Sequence, residues 1–240
     1  MSDRRICIQS SYIAPGVLLN LSMEDRKYLF NVMRCSHGDL ISVTDGRGKS
    51  FKAKIINKAT IEIIHEEELF TEDDFSIVLC QGILKGEKME TVIQKATELG
   101  VKKIVPFISE RCVIRNTTKL ERWKKIAKEA TEQSGRSIIP EISDVINFSD
   151  LIKHIDNGII FWEKERLPLI QSIHEINHKN SLFLLIGPEG GFSSEEVKQA
   201  SEKGLKVASL GKRILRAETA SIVSVGIVSF LMQNYDIIKK

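Results

Sequence analysis

Residues 182–196 read Leu-Phe-Leu-Leu-Ile-Gly-Pro-Glu-Gly-Gly-Phe-Ser-Ser-Glu-Glu. An apolar run without a polar break is the pattern of a strand buried on both faces, as in a parallel sheet between two layers of helices. Gly187, Gly190 and Gly191, with Pro188, then occupy the carboxyl end of that strand. Glycine has no Cβ, so a ligand can approach such a backbone closely. The carboxyl edge is also where open α/β sheets bind their ligands. Ser193 and Glu196 have capping-box spacing and open a helix that runs to Gly204, which adds free N–H groups beside the loop. The glycine spacing is not Gly-x-Gly-x-x-Gly, so a dinucleotide is disfavoured.

The same rhythm extends outward in both directions. Residues 76–83 form a second continuous apolar run, and 87–99 carry Met89, Val92, Ile93, Ala96 and Leu99 at helical spacing, with Gly100 as the stop. Residues 103–107 read as a strand, and Thr118 and Glu121 as a capping box for a helix through about residue 133. Strands are predicted at 158–162 and 206–210, and a last helix at about 217–234. Alternation of this kind predicts a mainly parallel α/β sheet with helices on both faces over 73–240. Before residue 70 the texture differs. Short strands are predicted at 39–44, 50–57 and 60–64, the first two joined by Asp45-Gly46-Arg47-Gly48, a strong hairpin signal. Phe51, Ala53 and Ile55 alternate with Lys52 and Lys54, and Ser22 is placed to cap a helix over 23–34. Residues 1–72 therefore read as a small half-open β-barrel domain with one helix, followed by an acidic, polar linker at 66–74.

Composition sets outer limits. A chain of 240 residues, 42% hydrophobic and 28% charged, can bury a core without disulfides or a metal, which argues against disorder, collagen and coiled-coil arrays. The net charge of +3 says little, but its distribution says more. Residues 85–136 hold 13 basic and 7 acidic side chains, whereas 141–240 hold 12 and 13. A basic middle suits a phosphate-rich partner, and a solvated helix surface explains it equally well. Cys7, Cys35, Cys80 and Cys112 are scattered among apolar residues and read as buried free thiols of a reducing compartment. No secretory signal follows the basic N-terminus. The longest apolar stretch, 220–232, is shorter than the ~20 residues a membrane span needs. A cytoplasmic protein with no membrane partner is the expectation.

Two motif matches carry little. Gly46 to Ser50 end like a P-loop, but Val43 stands where its first glycine belongs, and the segment joins two strands. His174-Glu175-Ile176-Asn177-His178 matches a zinc-protease pattern, yet no third ligand follows and the exit turn of a short helix is the better reading, so no metal site is expected. A further segment, Leu210-Gly211-Lys212-Arg213-Ile214-Leu215-Arg216-Ala217-Glu218-Thr219-Ala220, leads from a strand into the last helix. That helix is apolar all round and must be buried, inside its domain or at a homodimer interface.

The stretches IGPEGGFSSEE and LGKRILRAETA resemble the second and third motifs of the SPOUT methyltransferases. Together with KGEKMETVIQKATELGVKKIVPFISERC, the stretch from Trp123 to Pro140 and YLFNVMRCSHGDLISVTDGRGKSFKAKI, they make the chain similar over essentially its whole length to the RsmE family, which methylates N3 of a uridine in 16S ribosomal RNA. The resemblance implies a PUA-like, RNA-binding β-barrel at 1–72, a SPOUT methyltransferase domain with a deep trefoil knot at 73–240, and a homodimer. It implies S-adenosylmethionine as methyl donor and position 1498, in bacterial small-subunit numbering, as target. The cofactor would be held by Phe161, Trp162 and Glu163, by Ile186, Gly187 and Gly191, and by Leu210, Gly211, Ile214 and Leu215. Arg216 would stabilise charge on the uracil oxygens and Glu218 would serve as a base, with capping of the last helix an equal alternative for Glu218. Arg4, Arg34, Lys85, Lys88, Arg111 and Arg136 are candidate phosphate contacts, and a solvated surface charge is the alternative for each. The family usually has Thr where this chain has Ala217. Methylation of another RNA nucleotide and a non-catalytic RNA-binding module remain as rival readings.

Overall fold

A computed structural model describes residues 4–68, 71–173, 176 and 181–234. By contacts the chain divides into two units, one of Met1–Glu72 with Lys128–Ile139 and one of Asp73–Ala127 with Pro140–Lys240.

In the first unit, strands β1 (Arg5–Cys7), β2 (Leu18–Asn20), β3 (Leu40–Thr44), β4 (Ser50–Asn57) and β5 (Thr60–Glu67) form one sheet in the order β1-β3-β4-β5-β2. Only the β1–β3 pair is parallel. Alternation along β4 sends Phe51, Ala53 and Ile55 into a core shared with Ile6, Ile41, Val43, Ile61 and Ile63. Gly46 and Gly48 in the β3–β4 turn take φ values of 73° and 118°, which only glycine adopts without strain. The expected single helix over 23–34 is instead α1 (Met23–Lys27), capped by the Ser22 hydroxyl, followed by a π-helical turn at Tyr28–Val32. The wider turn brings both Leu29 and Cys35 to the core, and the N–H of Cys35 donates to the Leu29 carbonyl at 2.9 Å.

Residues 128–139 belong with this unit for identifiable reasons. The Gly48 N–H donates to the Ser137 carbonyl at 3.1 Å and the Ile139 N–H to the Gly46 carbonyl at 3.0 Å. Glu72 is not the solvated linker residue expected. Its carboxylate accepts from the Arg136 guanidinium at 2.8 Å and from the Ser137 and Ile138 N–H groups at 3.1 Å.

In the second unit seven parallel strands form one sheet. They are β6 (Ile77–Gly82), β7 (Lys103–Ile108), β8 (Glu141–Ile142), β9 (Ile146–Asn147), β10 (Gly158–Phe161), β11 (Leu182–Ile186) and β12 (Lys206–Ala208). The order is β12-β10-β11-β6-β7-β8, with β9 also on β7. The helices are α2 (Lys88–Glu98), α3 (Leu120–Ser134), α4 (Phe148–Leu151), α5 (Leu169–Ile173), α6 (Ser194–Glu202) and α7 (Ala217–Gln233). The second half of α3 falls in the first unit. It opens one residue later than its expected capping box allows: the Lys119 carbonyl takes the first helical bond, from Trp123, and Thr117 holds the Lys119 N–H.

One sheet face supplies Val78, Cys80, Val105, Phe107, Ile160 and Leu185 to a core completed by α4 and α6. The opposite alternating set, including Leu79, Ile104, Ile159 and Leu184, is fully buried on the other side, where α7 packs on β6, β11 and α2. After β12 at the sheet edge, the chain thus returns to the sheet's middle. The His174 to His178 motif lies outside the described residues except for Ile176.

Candidate active site

Strands β12, β10 and β11 lie side by side and parallel, so their carboxyl ends meet at one edge. The segments leaving them enclose a cavity of about 470 Å³. Its walls include Phe161, Trp162 and Glu163 after β10, Ile186, Gly187 and Gly191 after β11, and Leu210, Gly211, Ile214, Leu215 and Arg216 between β12 and α7. The structure therefore gathers all ten residues expected at the cofactor around one space.

The glycine loop is shaped by close approach. The Gly191 N–H closes a turn onto the Pro188 carbonyl at 2.9 Å, and Gly191 has a φ of 66°. A Cβ on Gly187 would lie 3.0 Å from the Gly191 carbonyl carbon, inside the loop's own backbone. Phe192 anchors the loop, buried against Phe107 and Phe148 with ring centroids 6.1 and 5.8 Å away. Ser193 and Glu196 form the expected capping box reciprocally, so α6 begins directly behind the loop.

Three residues outside the expected set brace the loop. Gln81 is fully buried at the end of β6, and its amide Nε2 donates to the carbonyls of Gly82 at 2.9 Å and Gly187 at 3.3 Å. Its Oε1 accepts from the Ser221 hydroxyl of α7, which also donates to the Ala217 carbonyl at 2.9 Å. The one available signal was a lone Gln in an otherwise apolar strand. Gly82 leaves room for the loop itself, since a Cβ there would stand 2.6 Å from the Pro188 nitrogen.

Lys88 lines the cavity, with its ammonium 3.6 Å from a Glu189 oxygen and 3.7 Å from a Glu218 oxygen. Burial works to raise the Glu189 carboxyl, but the Lys85 N–H at 2.9 Å and the Lys88 ammonium override it and hold the group below the usual carboxylate range. Glu218 stands in the first turn of α7, largely shielded from water, and its Oε2 is buried without a hydrogen bond among the described residues. Arg216 precedes α7 and is exposed, and Ile214 at the rim is 83% exposed.

The six expected phosphate contacts differ in exposure and in what holds them. Arg111 is exposed and donates to the Gly190 carbonyl at 3.1 Å, and Lys85 is exposed next to the same loop. Arg4 pairs with Asp39, and Arg34 is exposed with a φ of 53°. Arg136 is a correction: its side chain is 3% exposed and committed to Glu72, because a buried guanidinium needs a carboxylate beside it, so it offers nothing to a phosphate.

The chain is an RNA methyltransferase by its family models: residues 71–229, which hold the glycine-lined cavity, match the RNA methyltransferase domain and residues 21–64 the RNA methyltransferase PUA domain. The ribosomal RNA small subunit methyltransferase E of Rickettsia conorii is 33% identical over 96% of this chain and 97% of its own, and that of Bacillus subtilis 31% identical over 88% and 89%. The structure of a ribosomal RNA small subunit methyltransferase E from Neisseria gonorrhoeae bound to S-adenosyl methionine superposes with a TM-score of 0.87 at 32% identity, covering 95% of this chain and 98% of that one. The chain belongs to the ribosomal RNA small subunit methyltransferase E family.

Proposed function

We propose that this protein transfers a methyl group from S-adenosylmethionine to N3 of one uridine in 16S ribosomal RNA, position 1498 in bacterial small-subunit numbering, acting on the small ribosomal subunit in the cytoplasm as a homodimer. The observation that carries the reading is the convergence of the three expected loops on one cavity at the sheet's carboxyl edge.

The cavity suits the donor. Its ~470 Å³ lies within the range of pockets for ligands of this size. Gly187 and Gly191 present bare backbone, a Cβ on Gly211 would meet only open space, and the buried Trp162 Nε1 has no hydrogen-bond partner among the described residues. S-adenosylmethionine, when bound, supplies a methyl group on a positively charged sulfur and leaves as a neutral thioether.

The remaining work falls to the chain. Phe161, Trp162, Ile186, Leu210, Ile214 and Leu215 provide apolar contact and exclude water, while Glu163 and the backbone of Gly187, Gly191 and Gly211 supply polar contact. Uracil N3 carries a proton and lies on the pairing edge, so the base must be exposed and held in a pocket. Glu218 accepts that proton, and the electron pair of the broken N–H bond stays on the ring. Arg216 stabilises the charge that develops on the uracil oxygens. Ala217, on the cavity wall, contributes no hydroxyl. The β domain of 1–72, with Arg4 and Arg34, and the exposed Lys85 and Arg111 make the RNA contacts.

The test is incubation of purified protein with tritiated S-adenosylmethionine and small subunits from cells lacking the endogenous enzyme, then nucleoside analysis. Label in 3-methyluridine at one site is expected. Label in a different nucleoside overturns the target, and failure to bind the donor at all overturns the enzyme in favour of an RNA-binding module.

A further inference from the structure

We infer that Lys88 is a positioning residue of the methyl-transfer site, the cation that holds Glu218 in place against the glycine loop, and not a phosphate contact. The inference rests on the proposed role of Glu218 as acceptor of the N3 proton.

Lys88 is the first residue of α2, and its ammonium stands between two carboxylates from distant parts of the chain. Glu189 belongs to the loop after β11 and Glu218 to the first turn of α7. Glu189 is itself fixed, because its Oε1 accepts from the Lys85 N–H at 2.9 Å. It therefore serves as the anchor, with Lys88 as the tie. On the other side, the Glu218 Oε2 is removed from water without a hydrogen bond among the described residues, and the Lys88 ammonium lies 3.7 Å from it. A carboxylate oxygen in that condition is costly unless a cation stands near it. The tie thus keeps the Glu218 carboxylate in one orientation beside Lys88, which itself lines the cavity. No bond is made or broken at Lys88.

The same geometry argues against a phosphate role. Two carboxylate oxygens lie within 4 Å of the one ammonium. An RNA phosphate approaching it would meet their repulsion together with its attraction. Arg111 and Lys85, exposed outside this cluster, have no such burden.

Lys88→Met and Lys88→Arg, compared with the unaltered protein, separate the roles. Turnover is measured on small subunits at two salt concentrations, with donor affinity and melting temperature measured in parallel. Lys88→Met is expected to lower kcat about 10- to 100-fold, the scale on which a misplaced reacting group acts. The KM for subunits, its salt dependence and the donor Kd should change less than about twofold, and Lys88→Arg should restore most of the rate. A raised KM with a shallower salt dependence and retained kcat would identify a phosphate contact and overturn the inference alone. Loss of donor binding or of the folded state in both variants, or an arginine variant no better than the methionine one, would also overturn it. If the unaltered protein makes no 3-methyluridine, the reading of Glu218 fails and this inference with it.

Discussion

At the scale of single residues, two positions carry consequences that their neighbours do not. Gly82 ends β6, and a methyl group there would stand 2.6 Å from the Pro188 nitrogen, closer than real Cβ atoms come to backbone. The atom in the way is main chain, so the glycine loop has to move. Gly82→Ala should weaken S-adenosylmethionine binding at least tenfold by calorimetric titration, a loss of about 1.4 kcal/mol or more; an unchanged Kd would mean that the loop yields without affecting the cavity. The second residue is Glu132 in the first unit, whose side chain is 5% exposed. Burial lifts its carboxyl to about 7, against the Cys7 N–H at 2.8 Å and the Lys128 ammonium at 3.9 Å, which both work downward. The folded chain therefore holds this proton more tightly than the unfolded chain, whose carboxyl titrates near 4.5. Stability from this group is complete below 4.5 and is lost as pH rises through about 7, a change on the order of 3 kcal/mol. Glu132→Gln keeps an acceptor for the Cys7 N–H but removes the titration. The urea midpoint of the unaltered protein should fall from pH 5 to pH 8 while that of the variant stays level; a midpoint that rises over this range in the unaltered protein alone would reverse the sign.

At the scale of elements, the legible parts were those whose signal is local. Residues 182–186 and 76–83 read as strands because burial on both faces leaves an unbroken apolar run, and the strands are Leu182–Ile186 and Ile77–Gly82. The Ser193 capping box was equally local, and it sets where the loop stops. Ser193→Ala removes the hydroxyl that accepts from the Glu196 N–H, while the Glu196 carboxylate keeps the backbone N–H groups of Ser193 and Glu110, both at 2.9 Å. A loss of about 1 kcal/mol in urea unfolding is expected, with a weaker hold on the loop that α6 follows. What could not be read depends on distant partners. β8 and β9 are two residues each and exist because β7 offers them an edge. The π-turn after α1 answers to the core position of Leu29 rather than to any propensity. Residues 137–139 join the first unit through a turn about ninety positions earlier. In the site, the expected ten cavity residues were legible as a resemblance, whereas the bracing by Gln81 and the tie at Lys88 arise from contacts between segments more than a hundred residues apart.

At the scale of the whole molecule, the last helix bears on the proposed homodimer. Its apolar character all round was compatible with burial in one chain or between two. The structure divides the helix. Ser221, Ser224, Val225, Val228 and Met232 face inward, and the serines and Gly226 let α7 lie close to α2 and the sheet. Ile227 and Phe230 face outward, 42% and 61% exposed, with the half-buried Val223 completing a stripe at spacings of four and three. An aromatic side chain so exposed on a helix costs solubility unless something covers it. In the proposed homodimer a second α7 does so, and the same stripe on each copy satisfies the self-complementary contact that a twofold interface requires. Phe230→Asp places a charge at the most exposed end of that stripe on both copies while leaving the inward face untouched. Sedimentation equilibrium should then report a mass near 27.1 kDa in place of twice that value, with the melting transition still cooperative. A variant that stays dimeric would place the interface elsewhere, and an unaltered chain already monomeric would remove the need for one.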